Sequence, residues 1–146
     1  MTGRPAIRLY PDAVAALRAH AARELPRECC GLLTGPLVPV DGPADGPVTI
    51  DAAVASANLA PPGVADAFEL DAALHLDVQR RERAAGRAVL GLYHSHPKGA
   101  AIPSPRDRAG AYDHGLVWLI IGPDGAIRAW WPGPEGFVEA CIEVAS

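Results

Sequence analysis

Two histidines stand close together at the end of an apolar run. His94 and His96 follow the run Val89–Tyr93 and are separated by Ser95 alone. Since successive side chains of a β-strand point to opposite faces, a strand over Val89–His96 would place both imidazoles on one face. A lone buried histidine is more often a hydrogen-bonded core residue, but core packing gives no reason for two imidazoles that face the same way. The pair therefore indicates a site that does chemistry, with Ser95 facing the other way in a packing or hydrogen-bonding role.

A carboxylate follows the histidine pair after a short loop. Pro97 would end the strand, and the run Ser104–Asp107 has the serine, proline and acidic residue that are typical of a helix start. Taken alone, this run is better explained as a capping box than as part of a site. Both can hold, because the first turn of that helix would face the strand ends. His94, His96 and Asp107 would then form a three-ligand site with a fourth position for water, an arrangement that suits catalytic zinc.

A hydrolytic site of this kind also needs a general base, and Glu28 is the candidate. A bound zinc ion lowers the pKa of its water toward ~7, but the proton still has to be collected and delivered to a leaving amine. Glu28 opens the run Glu28–Gly35, which contains Cys29 and Cys30 and which we interpret as a buried strand. Taken alone, Glu28 is better explained as an exposed residue at a strand start, so its candidacy depends on the histidine motif.

The elements around these residues alternate between helix and strand. Asp12, Asp71 and Ser104 are the predicted N-caps of three helices. The predicted helices span residues 12–24, 72–85 and 104–114, and the predicted strands span residues 28–35, 48–59, 89–96, 116–121, 126–131 and 137–144. This alternation predicts an α/β fold, a single mixed β-sheet domain flanked by helices in a three-layer arrangement. We expect one domain over residues 1–146, with no repeat and no linker.

The composition narrows the classes of function. A net charge of −4 argues against a nucleic-acid-binding surface, which needs an excess of basic residues. Three cysteines, with Cys29 and Cys30 adjacent, form neither a disulfide framework nor a CxxC pair, which favours a reduced setting. The most apolar run, Leu116–Ile121, is far shorter than the ~20 residues that span a membrane. Since Met1–Pro5 has no signal-peptide core, we expect a soluble cytoplasmic protein that binds neither nucleic acid nor membrane.

The spacing of the motif resembles the signature of a known family. The run His94–Asp107 reproduces the whole HxHPx(6)SxxD signature of the JAMM metalloproteases, also called MPN+ or Mov34/PAD1-like. The segment Pro26–Gly35 resembles the glutamate segment of that family, and Asn58 and Phe68–Asp71 resemble its small prokaryotic members. The resemblance covers nearly the whole chain and implies the MPN/JAMM fold, a cytidine-deaminase-like three-layer arrangement.

The resemblance implies a role for each matching residue. His94, His96 and Asp107 correspond to the ligands of one Zn²⁺ ion per chain, with water as the fourth ligand. Glu28 corresponds to the general base that activates this water and carries its proton. Ser104 corresponds to the hydroxyl that helps to stabilise the tetrahedral oxyanion.

The resemblance also implies a substrate class. Members of the family hydrolyse peptide or isopeptide bonds after the C-terminal Gly-Gly of ubiquitin or ubiquitin-like proteins, and small bacterial members are associated with ubiquitin-like sulfur carriers. We therefore expect the partner to be a ubiquitin-like sulfur-carrier protein or its conjugate. An extended glycine tail would lie against a strand edge, with Pro36–Pro47 and Asn58–Phe68 as candidate groove walls. The sequence leaves the oligomeric state open.

Other functions fit the sequence less well. A non-catalytic MPN-type scaffold typically lacks one or more ligands, and none is missing from this sequence. A zinc nucleobase deaminase needs an H-x-E motif and a P-C-x-x-C pair, and the sequence has neither. A deubiquitinase-like isopeptidase that acts on other ubiquitin-like conjugates stays open as an alternative. Selectivity for ubiquitin chains is disfavoured, because the chain passes directly from the motif to Leu116–Ile121 without the long insertion of the eukaryotic enzymes.

Overall fold

The protein, in a computed structural model, is described over residues 4–37, 46–64, 66–111, 113 and 115–145. The strands in these residues are β1 (Ile7–Leu9), β2 (Cys30–Pro36), β3 (Val48–Ile50), β4 (Ala52–Ser56), β5 (Arg87–Ser95), β6 (Val117–Ile121), β7 (Ile127–Trp131), β8 (Val138–Ala140) and β9 (Ile142–Val144). The helices are α1 (Pro11–Glu24), α2 (Ala72–Ala84) and α3 (Pro105–Ala109). Within this part of the chain, no helix has the length and apolar character needed to cross a membrane.

A six-stranded mixed sheet forms the centre of the fold. Its strand order is β4-β2-β5-β6-β7-β8, in which β5 and β6 run parallel and all other neighbours run antiparallel. A second, smaller sheet has three parallel strands in the order β3-β1-β9. The predicted mixed α/β class is confirmed, and the small parallel sheet adds to the single sheet that the sequence predicts.

The small sheet arises because two predicted strands each divide between the sheets. The predicted strand over residues 48–59 becomes β3 and β4, separated at Asp51, and the last predicted strand becomes β8 and β9 in the same way. At Asp51 the N–H donates to the carbonyl of Thr34, and the carboxylate pairs with Arg87 at 2.6 Å. These contacts hold the chain where it passes from one sheet to the other. The prediction of two continuous strands is wrong, since alternation alone does not show where a strand changes sheets.

Two of the three predicted helix caps are confirmed. The side chain of Asp71 accepts hydrogen bonds from two N–H groups in the first turn of α2. Ser104 caps α3 in a capping box with Asp107. The prediction that α3 continues to His114 is wrong, because Gly110 is the C-cap and glycine is a poor residue for continuing a helix. His114 itself lies outside the described residues.

The first helix starts without the predicted cap. The sequence predicts Asp12 as the N-cap, but α1 begins at Pro11, and Tyr10 holds the cap position without a side-chain hydrogen bond. Proline suits the first helical position because its ring fixes a helical φ and its missing N–H would have no partner there. Asp12 lies in the first turn instead, where a carboxylate interacts favourably with the helix dipole.

The hydrophobic core packs on one face of the central sheet. β5 contributes Tyr93 to it, and β6 contributes alternate residues of Val117–Ile121. Leu9 of the small sheet and Leu17 of α1 pack into the same cluster. His94 follows Tyr93 along β5 and therefore points to the opposite face. The core thus holds the strand that carries the histidines while leaving their face free for a site.

The pairing of β2 with β5 brings distant segments of the chain together. Cys30 lies opposite His94 in the antiparallel register. One residue earlier, the N–H of Cys29 donates to Oγ of Ser95 at 2.8 Å, and the Cys29 carbonyl accepts from the Ser95 N–H at 3.2 Å. Glu28, the next residue back, is therefore held at the end of β5 that carries the histidine motif.

Candidate metal centre and catalytic cleft

The three side chains that the sequence predicts as metal ligands meet at one point. Nε2 of His94 lies 3.1 Å from Oδ1 of Asp107, and Nε2 of His96 lies 3.1 Å from Oδ2 of the same carboxylate. The two Nε2 atoms are also 3.1 Å apart. One ligand atom from each residue lies within 4.8 Å of the others, so this group could hold a metal ion.

The spacing of these atoms fits a small tetrahedral ion. Two nitrogen ligands about 2.05 Å from a tetrahedral zinc ion lie about 3.3 Å apart. The Nε2 atoms of His94 and His96 are 3.1 Å apart, close to that separation. Two imidazoles and one carboxylate also form a donor set that zinc sites use when they leave one position for water. The donor set and its spacing therefore fit a catalytic metal ion.

His96 is oriented by the loop that follows it. Its Nδ1 lies 2.8 Å from the carbonyl oxygen of Ala100. Because a carbonyl only accepts hydrogen bonds, Nδ1 carries the proton, and in the neutral imidazole Nε2 keeps its lone pair. Trp130 holds the loop in turn, since its indole N–H donates to the carbonyl of Ala101 at 3.0 Å. His96 therefore presents Nε2 in the tautomer that a metal ligand needs.

Asp107 is held by the start of α3. Its Oδ2 accepts a hydrogen bond from the N–H of Ser104 at 2.9 Å, and its own N–H donates to Oγ of Ser104 at 3.0 Å. Burial raises the pKa of the Asp107 carboxyl, but the adjoining rings of His94 and His96 outweigh burial and hold that pKa well below its usual range. Asp107 is therefore a fixed anion, and the capping box that the sequence predicts also positions it.

His94 lies in an aromatic pocket. It is fully buried, and the ring of Phe68 stacks on it with 4.3 Å between the centroids and 19° between the planes. Trp118 packs against it edge-on at 5.5 Å. Burial lowers the pKa of His94 more than the hydrogen bond with Asp107 raises it, so the ring is neutral near pH 7. Its Nδ1 has no hydrogen-bond partner among the described residues, so packing orients this ring.

Glu28 lies in a cleft beside the three candidate ligands. The cleft has a volume of about 420 Å³, and its lining includes Glu28, His96, Ser104, Asp66 and Lys98. Glu28 is 5% exposed, and its Oε1 has no hydrogen-bond partner within the described part of the chain. Burial raises the pKa of Glu28 to about 7, although the neighbouring His96 ring lowers this pKa in part. A carboxyl in this state can take up and release a proton near neutral pH.

Ser104 lines the same cleft. Its Oγ accepts the N–H of Asp107, which leaves the hydroxyl proton available to another acceptor. The capping role that the sequence predicts is confirmed, and it leaves room for a second role as a donor toward the cleft. The oxyanion contact of Ser104 stays a prediction.

The sequence did not show which residues orient His94. It marks Phe68 only through the family resemblance and as part of a candidate groove wall, and Trp118 only as part of a buried strand, but both enclose the His94 ring. Trp118 pairs with Leu92 in the parallel register of β5 and β6 and so shares the face of His94, and the sequence shows the strand but not this register. No sequence signal exists for the Ala100 carbonyl, which is a backbone atom of an irregular loop.

The candidate groove walls predicted from the sequence are Pro36–Pro47 and Asn58–Phe68. Residues 38–45 of the Pro36–Pro47 wall lie outside the described residues. From the Asn58–Phe68 wall, Phe68 lines a second pocket of about 350 Å³ together with Asp107 and Trp118. This wall therefore lies beside the candidate ligands.

Sequence comparison relates the chain to a family and to named proteins. The family described as prokaryotic homologs of the JAB domain matches residues 11–133. The chain is 38% identical over 129 residues to the desampylase of Haloferax volcanii, over 87% of this chain and 85% of that protein. It is 37% identical over 124 residues to the probable TtuB-protein conjugate cleaving protease of Thermus thermophilus, over 82% of this chain and 70% of that protein.

Solved structures share the fold. The solution structure of a protein from Desulfitobacterium hafniense has a TM-score of 0.81 and 28% identity, and the match covers 96% of this chain and 93% of that one. The crystal structure of a JAB1/MPN domain protein from Archaeoglobus fulgidus has a TM-score of 0.61 and 17% identity, and it supports the fold alone, over 96% of this chain and 100% of that one. The predicted fold is confirmed. The chain belongs to the family of prokaryotic homologs of the JAB domain, and its enzyme class is the predicted one, a JAMM-type peptidase or isopeptidase.

Proposed function

We propose that the protein is a zinc metallopeptidase that hydrolyses a peptide or isopeptide bond after the C-terminal Gly-Gly of a ubiquitin-like protein. One observation carries the proposal: His96, one member of the ligand group with His94 and Asp107, lines the same cleft as the buried carboxyl of Glu28. A scaffold has no need of such an acid, because a buried carboxylate without compensating hydrogen bonds opposes folding. A hydrolase does need one, and needs it in this place.

The ligand group would be His94, His96 and Asp107, with its open side left to water. When bound, zinc supplies a Lewis acid that lowers the pKa of a water ligand and polarises a carbonyl. The protein keeps these ligands ready for the ion. His94 stays neutral through burial, Ala100 fixes the tautomer of His96, and Asp107 stays ionised.

Glu28 would move the proton. As a carboxylate it takes a proton from the attacking water, and as a carboxylic acid it gives that proton to the leaving amine when the C–N bond breaks. Burial raises the pKa of Glu28 to about 7 in the metal-free protein, and this favours uptake of the proton by the carboxylate. Its burial in the cleft also keeps bulk water from supplying the proton instead.

Ser104 would stabilise the negative charge that develops on the substrate carbonyl oxygen. Its hydroxyl proton is available, because the bond from the Asp107 N–H occupies only a lone pair of Oγ. A donor that is already fixed in place needs little reorganisation during the reaction. The capping box fixes Ser104 in this way.

The substrate assignment is supported by the relatives and by the shape of the site. One relative is named a desampylase, and another is named as a protease that cleaves TtuB–protein conjugates. His96 lines the cleft with Glu28, and Asp107 lines the pocket with Phe68 and Trp118, so both cavities adjoin the candidate ligands. An extended chain across both would place its scissile bond at the ligands, and glycines there allow a close approach.

The proposed substrate is a sulfur-carrier protein or its conjugate, and the proposed setting is the cytoplasm. One domain of this size would act without a nucleic-acid or membrane partner. The net charge of −4 supports the first of these exclusions, since a nucleic acid would be repelled.

Mass measurement on defined carriers tests the proposal. The zinc-loaded protein is incubated with a ubiquitin-like sulfur carrier that is extended past Gly-Gly by a peptide, and with the same carrier joined through Gly-Gly to a lysine ε-amine. We expect a product that ends at Gly-Gly from at least one of them, lost with a chelator and restored by Zn²⁺. A carrier that ends in Ala-Ala before the extension is the matched control and should stay intact. Cleavage that persists in the chelator, or intact carriers in every arm, would contradict the proposal.

A further inference from the structure

One loop contacts both the segment of the candidate base, Glu28, and the candidate ligand His94. It connects β4 to α2 through residues 57–71, of which residue 65 lies outside the description. The start of the loop contacts the segment of Glu28, and its later part places Phe68 on the ring of His94. The loop is therefore a second physical connection between the candidate base and a candidate metal ligand, beside the Cys29–Ser95 bonds.

Asn58 holds this loop through four hydrogen bonds. Its Nδ2 donates to the carbonyl of Glu28 at 2.9 Å and to the carbonyl of Ala67 at 3.0 Å. Its Oδ1 accepts from the N–H groups of Ala60 and Glu69, both at 3.0 Å. Since carbonyls only accept and backbone N–H groups only donate, one orientation of the amide satisfies all four partners. The whole hydrogen-bonding capacity of this side chain is thus used within the protein.

Two of the four bonds of Asn58 bracket Phe68. Ala67 and Glu69, the two neighbours of Phe68 in the chain, are both bound to Asn58, one through its carbonyl and one through its N–H. A further backbone hydrogen bond, from the N–H of Leu59 to the carbonyl of Glu69 at 2.9 Å, joins the same two parts of the loop. The position of the Phe68 ring therefore follows from the position of Asn58.

Arg27 reinforces the attachment of the loop to the Glu28 segment. Its Nη2 donates to the carbonyl of Ala60 at 2.8 Å, and its Nη1 lies 3.5 Å from the carbonyl of Asn58. Arg27 and Glu28 are adjacent in the chain, so this contact joins the loop to the segment that carries the candidate base.

His94 depends on Phe68 more than a metal-binding histidine usually depends on packing. Such a histidine normally donates its second ring N–H to a carboxylate, a carbonyl or water, and that bond fixes the ring. Nδ1 of His94 has no hydrogen-bond partner in the described ranges, whereas Phe68 covers the ring at 4.3 Å. Among the described residues, stacking by Phe68 rather than a protein acceptor orients this ring.

We propose that Asn58 is a positioning residue that fixes the candidate base and the candidate metal ligand relative to each other. It acts on Glu28 through the Glu28 carbonyl and on His94 through Phe68. The inference rests on the proposed function for the roles of Glu28 and His94, but not for the contacts themselves.

Three variants and a control test this role. Asn58→Ala removes all four bonds, Asn58→Asp keeps the acceptor and removes both donors, and Phe68→Leu removes the stacked ring. Asp71→Ala is the matched control, because the Asp71 side chain also accepts two hydrogen bonds from backbone N–H groups, at the α2 end of the same loop. Its loss should destabilise the protein without moving Glu28 or Phe68.

Zinc affinity and the separate kinetic constants are the first readout. We expect each of the three variants to bind Zn²⁺ about tenfold more weakly than the wild type in competition with a chelating dye, as for other losses around a metal ligand. We expect kcat to fall by a similar factor in all three variants. KM should change little in Asn58→Ala and Asn58→Asp, since Asn58 lines neither substrate pocket. Asp71→Ala should match the wild type in both. Wild-type zinc affinity in Asn58→Ala, or an equal loss in Asp71→Ala, would overturn the proposal.

Nuclear magnetic resonance of the metal-free protein is the second readout, and it does not depend on zinc or on activity. The Phe68 ring shifts the proton signals of the His94 imidazole that it covers. We expect Asn58→Ala and Asn58→Asp to move these signals toward their positions in Phe68→Leu, and Asp71→Ala to leave them in place. Unmoved His94 signals in Asn58→Ala would overturn the positioning role. If the wild type binds no zinc, the proposed function fails while these signals still decide the role of Asn58.

Discussion

The N–H of Cys29 donates a 2.8 Å hydrogen bond to Oγ of Ser95. Both residues are buried, Cys29 at 1% and Ser95 at 3% exposure, so water cannot replace this bond. It joins the residue after Glu28 to the residue between the two histidines. The hydrogen-bonding role predicted for Ser95 from strand alternation is confirmed, and it ties the candidate base to the candidate ligands.

Ser95→Ala should weaken both stability and catalysis. The variant leaves the buried N–H of Cys29 without an acceptor, which costs about 1–3 kcal/mol of the free energy of unfolding. The segment of Glu28 would then be held less firmly, and we expect kcat to fall by about tenfold or more, because small misplacements near reacting atoms have large effects on rate. Urea denaturation and the rate of carrier cleavage measure the two effects.

Ser56→Ala is the control for Ser95→Ala. Ser56 is also a buried serine that accepts a backbone hydrogen bond, from the N–H of Asp71 at 3.1 Å. Its loss should lower stability by a similar amount and leave the cleavage rate of the folded protein unchanged. If both variants lose the same fraction of kcat, the bond from Cys29 to Ser95 has no special part in placing Glu28.

Glu28 should make the stability of the metal-free protein depend on pH. Burial raises its pKa from an ordinary value of 4.5 to about 7 in the folded state. The folded state therefore binds the proton more tightly than the unfolded state, and stability from this group is present below pH 4.5 and is lost as the pH rises through about 7. We predict that Glu28→Gln gains stability relative to the wild type over this range, by up to about 3 kcal/mol.

Urea denaturation of chelator-treated protein between pH 4.5 and about pH 8 checks this dependence. This range begins at the ordinary pKa of 4.5 and ends above the folded-state pKa of about 7. Glu135→Gln, which replaces an exposed carboxylate, is the control and should run parallel to the wild type. A constant difference between Glu28→Gln and the wild type across the range would show that Glu28 does not titrate in the folded state as its burial requires.

Ser104→Ala should separate the capping role of Ser104 from its role toward the substrate. Loss of the cap costs about 1 kcal/mol of stability. Loss of an oxyanion donor costs about 10²-fold or more in kcat. We expect both effects, with zinc still bound in stoichiometric amount. Asp71→Ala loses a helix cap of similar strength away from the cleft and should keep the wild-type kcat. If Ser104→Ala has the same kcat as Asp71→Ala, Ser104 takes no part in the reaction.

The parts of the fold that could be predicted from the sequence are those with a local pattern. β6 follows from an unbroken apolar run, and all five of its residues are buried. β1 has three residues, too few to show alternation. One of its partner strands, β9, lies at the other end of the chain, where Ile142 pairs with Ile7. The small parallel sheet could not be predicted, because parallel pairing joins segments that no local pattern connects.

The same distinction between local patterns and long-range pairing applies to the residues of the candidate site. His94 and His96 share a face through strand alternation, and the capping box places Asp107, so the ligand group follows from local rules. The position of Glu28 depends on the pairing of β2 with β5, which periodicity does not specify, and only the family resemblance connects Glu28 to the histidines. Phe68 lies in an irregular loop, and its contact with His94 has no pattern in the sequence.

The zinc content and the cleavage rate of Glu28→Gln, measured on the same sample, test the central claim most directly. Glutamine has the shape of the acid but cannot take up the proton. We predict one zinc ion per chain, as in the wild type, and a rate of cleavage after Gly-Gly that is lower by about 10²- to 10⁴-fold, the usual contribution of a general base. A zinc-loaded Glu28→Gln protein that cleaves the carrier at the wild-type rate would contradict the claim.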